Sequence, residues 1–273
     1  MKVKWSAPVV LALCAALALS GCIDSATKIT VRNDGSGTIE KTVVLSTKLV
    51  SLIAGMGMGG DAASIEAGML SEKSLKAEAS RMGAEVSFVS AQKLTTPKGN
   101  GYRAVYSFKD IGKVKIDESP AADVSMPQGA AAASGGSATP ELLTFRFAKG
   151  SPATLTIVAP PVESSRAAPA RSSQTSPEDA QKMLESMRPL YADLRIALSV
   201  EVQGTITQTN AAFVDGSTVT LMELDFGKIL ADEAVWKKLA STQADSIKQV
   251  QDVLKAMPGV RLETQPTVSV SFR

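Results

Sequence analysis

Five apolar residues stand at alternate positions from 194 to 202: Leu194, Ile196, Leu198, Val200 and Val202. Successive side chains of a strand point to opposite faces, so this run has one face for a core and one for solvent. The strand pattern continues through Thr205-Ile206-Thr207 to Ala211-Ala212-Phe213-Val214. Asp215-Gly216-Ser217 then turns the chain, and residues 219–224 return. Two alternating runs around a glycine-bearing turn read as a β-hairpin.

The same pattern recurs. Residues 27–46 read as a hairpin in which Ile29 and Val31 alternate with polar residues, and Asn33-Asp34-Gly35-Ser36-Gly37 supplies the turn. Residues 86–89 and 102–108 form a second pair around Pro97-Lys98-Gly99-Asn100-Gly101, with Tyr102, Ala104, Tyr106 and Phe108 on one face. Leu143, Phe145 and Phe147 alternate in a third; Lys149-Gly150-Ser151-Pro152 turns it, and Leu155 and Ile157 return. Residues 267–272 close the chain as a strand. Helices are fewer. Ser71 is the expected N-cap of one whose Leu75, Ala79 and Met82 share a face and which Gly83 ends. Ser176-Pro177-Glu178-Asp179 opens another, with Met183, Leu184, Met187, Leu190 and Tyr191 apolar and Pro189 as a kink. Two amphipathic helices follow at about 231–240 and 242–257, the second stopped by Met257-Pro258-Gly259.

Hairpins dominate this order, so the fold class is α+β: a largely antiparallel β-sheet built from hairpins, one sheet or a curved half-barrel, with helices packed on one face. Two stretches interrupt it. Residues 120–140 hold sixteen Pro, Ala, Gly or Ser among twenty-one, and residues 159–177 hold thirteen Ala, Pro or Ser among nineteen. Neither has the apolar content to fold alone, so both read as flexible segments on a rim of a single domain spanning 22–273.

The amino terminus has a different design. Met1-Lys2-Val3-Lys4 is basic, residues 5–23 carry no charge, and the apolar heart runs from 9 to 19. That is a secretory leader rather than a membrane span, being alanine-rich and broken by Pro8 and Ser20. Its end, Leu19-Ser20-Gly21-Cys22, resembles the lipobox of bacterial lipoproteins. The resemblance implies that residues 1–21 are removed and that Cys22 becomes the first residue, carrying a diacylglyceryl thioether and acyl chains such as palmitate. Each buried methylene adds about 0.8 kcal/mol, so two or three chains hold a protein firmly. The next residue is Ile23 rather than aspartate, which resembles lipoproteins sorted to an outer membrane, although Asp24 follows. The expected location is the cell membrane or outer membrane, lipid-anchored on the exported, periplasmic side.

Composition narrows the function. There is no histidine, which excludes Ser-His-Asp and Cys-His catalysis and histidine-ligated metals. Of the two cysteines, Cys14 leaves with the leader, so neither an internal disulfide nor a cysteine metal site is expected. Losing Lys2 and Lys4 takes 29 basic residues to 27, against 27 acidic ones. A neutral chain without a basic face is not expected to bind nucleic acid.

The remaining candidate sites have simpler readings. Gly55-Met56-Gly57-Met58-Gly59-Gly60 lacks the Lys-Ser or Lys-Thr of a phosphate loop and is followed by Asp61, so it reads as a mobile loop. Asp215, Glu223 and Asp225 invite a carboxylate pair, but Asp215 suits its turn and Glu223 is expected to face solvent. The turn at 33–37 is too short for a calcium loop. Ser71, Lys73, Ser74 and Lys76 do not have the serine–lysine spacing of a nucleophile pair and suit a cap and an exposed helix face. No catalytic residue, metal or cofactor is expected.

Two stretches together carry a resemblance to LppM-like lipoprotein domains: Ile29-Thr30-Val31-Arg32-Asn33-Asp34-Gly35-Ser36-Gly37-Thr38-Ile39, soon after Cys22, and Thr209-Asn210-Ala211 followed by Val214-Asp215-Gly216-Ser217-Thr218-Val219-Thr220. The resemblance implies an α+β domain with a lipid or cell-envelope role. The expectation is a non-enzymatic envelope lipoprotein, held to the membrane through Cys22, that binds an apolar ligand such as a lipid or an envelope protein. The alternative is a structural or assembly lipoprotein with a packed core.

Overall fold

The structure, a computed structural model, describes residues 23–48, 50–51, 67–68, 70–117, 142–160, 192–234, 255 and 257–273. The expected leader, Cys22, the glycine–methionine stretch at 55–60, both low-complexity segments apart from residues 159–160, the helix expected from Ser176 and, apart from residues 255 and 257, the helix expected at 242–257 lie outside the described residues.

The described residues form mostly strands, in two sheets. In the first, β1 (Ile23–Val31) pairs antiparallel with β2 (Gly37–Ser46) and parallel with β8 (Arg195–Val202). Beyond β2 lie β4 (Gly99–Phe108) and then β3 (Val86–Thr95); beyond β8 lies β11 (Thr218–Asp225), which also pairs with β10 (Val214–Asp215) and β12 (Val260–Leu262). The second sheet runs β5 (Lys115–Asp117), β6 (Leu142–Ala148), β7 (Ala153–Val158), β13 (Thr267–Phe272), β9 (Ile206–Thr209). The pairing is antiparallel except for β1 with β8.

The sequence expectation of one sheet is corrected at Gly204. The run after Val202 does not continue the same strand: β9 leaves to pair with β13 in the second sheet. Gly204 makes the bend at φ +154, and a Cβ there would lie 2.5 Å from the Arg273 carbonyl oxygen. Only a residue without a side chain fits. Thr205 and Arg273 then exchange backbone hydrogen bonds of 2.8 and 3.1 Å. A second correction concerns the β3–β4 turn. It is tighter than expected, with Thr96 and Gly99 bonded across it, so Gly99 and Gly101 are strand residues. A Cβ on Gly101 would collide with the Val43 carbonyl, so glycine here allows close approach of β2 rather than a bend.

Apolar residues at alternate positions of both sheets join one core. Ile29, Ile39 and Val200 come from the first sheet, Leu155, Val270 and Phe272 from the second, and all are fully buried. Two helices contribute among the described residues. α1 (Glu72–Met82) buries Leu75, Glu78, Ala79 and Met82 and packs against β3 and β5, so it touches both sheets. Ser71 caps it by accepting from the Ser74 amide, as expected. α2 (Phe226–Ala231) is capped by Asp225 at the end of β11 and buries Phe226, Ile229 and Leu230. It begins earlier than the helix expected at 231–240. No described helix is long and apolar enough to cross a membrane.

Candidate functional site

Cys22 precedes β1 directly. Consecutive Cα atoms are about 3.8 Å apart across a trans peptide, so the thiol-bearing residue is fixed to the start of the first sheet's central strand with no spacer. Ile23 is buried and faces Leu45 across the β1–β2 ladder. The register defines what surrounds it. The starts of β1, β8 and β4 and the ends of β2, β3 and β11 share this end of the sheet, and α2 leaves from it. The turns at Asp34 and at Gly216-Ser217 lie at the opposite end.

The outer face near this end carries ion pairs. Arg195 lies 3.6 Å from Asp24 and 3.2 Å from Glu223, and Arg261 lies 3.7 Å from Glu223. Four side chains from β1, β8, β11 and β12 thus form a chain of alternating charge across four adjacent strands. Glu223 lies on this outer face, as expected, partly covered and paired with both arginines. Asp225 accepts from the Lys228 amide at 3.2 Å as the cap of α2 and pairs with the Lys228 ammonium. Asp215 stays in its hairpin turn, exposed and paired with Thr218 in the ladder. The three carboxylates therefore do not converge. Among the described residues no three Cys, Asp or Glu side chains gather as a metal site.

Ser71 and Ser74 share a hydroxyl contact of 2.6 Å at the helix cap, and Lys76 pairs with Glu72 on the exposed face. In the 33–37 turn, Asp34 accepts from the Ser36 hydroxyl at 2.6 Å and its amide at 2.9 Å. These bonds hold its carboxyl below the usual carboxylate range.

Sequence reasoning missed a buried polar triad. Lys41 on β2 points into the core at 7 % exposure and donates to Glu78 of α1, itself 8 % exposed, at 2.5 Å. The fully buried Tyr106 of β4 donates its hydroxyl to the other Glu78 oxygen at 2.6 Å. Burial first, and then the charge of Glu78, push the Tyr106 phenol far above its ordinary value, so it is a fixed donor. Phe88 packs edge-on against its ring. The signal was in the pattern: Lys41 occupies the inward position between Ile39 and Val43, and Glu78 lies on the Leu75–Ala79–Met82 face. The triad joins the helix to two strands and leaves neither charge alone.

No protein-family model matches the chain, and no curated sequence is similar to it. Among solved structures, the chain is similar to the folded domain of LppM from Mycobacterium tuberculosis, at 13 % identity and a TM-score of 0.33, over 92 % of this chain and 90 % of that one.

Proposed function

We propose that this chain is a membrane-anchored lipoprotein of the cell envelope, lipidated on Cys22, that acts without catalysis by binding an apolar ligand such as a lipid or an envelope protein. The observation that carries the reading is the meeting of two boundaries. The lipobox-like Leu19-Ser20-Gly21-Cys22 ends where β1 begins, at Ile23, so cleavage before Cys22 costs the fold no strand. The absence of catalysis is supported by the work already assigned to the candidate groups: Ser71 and Asp225 cap helices, and Glu223 is held between arginines.

One observation favours the packed structural lipoprotein as the second reading. The two sheets and both helices share one apolar cluster, and every buried side-chain nitrogen or oxygen among the described residues has a partner. Expression of the full chain in bacteria fed an alkyne-tagged fatty acid tests the anchor. The label should appear on the membrane-fraction protein, and both label and membrane location should be lost in Cys22→Ala. Native mass spectrometry of a soluble form starting at Ile23 then separates the two readings. A stoichiometric lipid mass supports the ligand-binding protein; a clean protein mass supports the packed structural one.

A further inference from the structure

The absence of a spacer between Cys22 and β1 has a consequence for orientation, which rests on the Cys22 anchor proposed above. A lipid on Cys22 brings the adjacent end of the first sheet to the headgroup layer, because the thioether begins one residue from Ile23. Nine residues of β1 rise by about 30 Å at roughly 3.3 Å each, so the opposite turns stand well clear of the bilayer.

Among the described residues, the basic groups at this end that have no acidic neighbour in sequence lie on one side of β1. On the β2–β4–β3 flank, Lys48 follows the end of β2 and Lys98 sits in the β3–β4 turn; both are exposed. They are held close, since the Thr47 amide donates to the Lys98 carbonyl. On the β8–β11 flank the described residues include Asp193, Glu223, Asp225, Asp232 and Glu233 against Arg195, Lys228, Lys255 and Arg261, and Arg195, Lys228 and Arg261 already pair with Glu223 or Asp225, so this flank offers no surplus of positive charge. Bacterial phospholipid surfaces are anionic, and basic groups near them are attracted within a Debye length of about 8 Å.

We propose that this end of the first sheet is a bilayer-contact surface, and that the domain leans onto its β2–β4–β3 flank with Lys48 and Lys98 against phospholipid phosphates. The partner is the bilayer bearing the anchor. The β8–β11 flank, whose charges are nearly balanced, is lifted, and the far turns face away from the membrane.

The processed chain would suit a direct test, because the Cys22 sulfur would be taken up in the thioether, Cys14 would be gone with the leader and the sequence has no other cysteine. Single cysteines replace Pro97 in the lysine flank, Ala231 at the end of α2 and Asp215 in the far turn; each carries a fluorophore in the lipidated full chain. The proteins are reconstituted in phosphatidylethanolamine–phosphatidylglycerol vesicles containing a headgroup spin-labelled phospholipid. All should pellet with the vesicles. Quenching should be severalfold stronger at position 97 than at 215, with 231 between them. Lys48→Glu with Lys98→Glu, both exposed changes, should lower quenching at 97 while the protein still pellets. Pelleting with equal quenching at 97 and 215 overturns the contact surface and leaves the anchor standing. Stronger quenching at 231 than at 97, or no effect of the lysine changes, overturns the lean. Failure to pellet overturns the anchor and this surface together.

Discussion

The molecule contains two ionic clusters of similar chemistry in opposite surroundings. In the Lys41–Glu78–Tyr106 triad the side chains are buried and the charges are met by protein groups. In the Asp24–Arg195–Glu223–Arg261 chain, water reaches the arginines and competes for them. The first should therefore be expensive to break and the second nearly neutral, although the second contains more charges. Proximity of charge does not set energetic weight; the cost of leaving a partner behind does.

The sharpest test removes one charge of the buried pair. Lys41→Met should destabilise the domain by about 3–5 kcal/mol, read from the urea midpoint, because Glu78 stays buried without its cation. Adding Glu78→Leu and Tyr106→Phe should recover much of that loss, since an apolar set leaves no orphan. If the triple variant were as weak as Lys41→Met alone, packing rather than charge would dominate the site.

Tyr106→Phe alone should cost less, about 1–3 kcal/mol, since Glu78 keeps Lys41 and loses one donor. The same residue gives a pH signature. The folded state holds the phenolic proton above the ordinary value of 10.0, where the unfolded chain releases it. Its contribution is complete below pH 10 and is lost as the pH rises beyond that. Urea titrations above pH 10 should therefore show a steeper loss of stability in the parent than in Tyr106→Phe.

At the other cluster, Arg195→Ala should change stability by no more than about 1 kcal/mol, and raised salt should reproduce part of the change in the parent. A loss as large as that of Lys41→Met would show that the partly exposed cluster is a structural centre and would remove the contrast.

The sequence made the local pieces legible. The β1–β2, β3–β4, β6–β7 and β10–β11 hairpins, the terminal strand and the Ser71 cap are set by residues a few positions apart, where alternation and turn chemistry are visible. The division into two sheets was not, because it depends on the close approach of Gly204 to the carbonyl of Arg273, distant in sequence, which a side chain at 204 would block. The parallel pairing of Ile29 with Val200 was hidden for the same reason. β5 and β12, at three residues each, are too short to show alternation. The proposal of Cys22 rests on its sequence neighbours alone, whereas the pairing of Lys41 with Glu78 needs helix and strand placed together, although each occupies an inward position of its own element. Glu223 was placed on the outer face from its neighbours, but its arginines were not visible because they come from β8 and β12.

The position of β13 bears on how the molecule is completed. It lies between β7 and β9, so the second sheet has no middle until residues 267–272 arrive. Any machine that delivers this chain amino terminus first, a ribosome or a translocation pore, delivers that strand after both of its neighbours. Meanwhile β7 and β9 each expose an open edge, and a stalled chain would present two unpaired strand edges at once. Residues 267–272 act as a latch, and the time between the emergence of β9 and that of β13 is the interval in which the second sheet stays open.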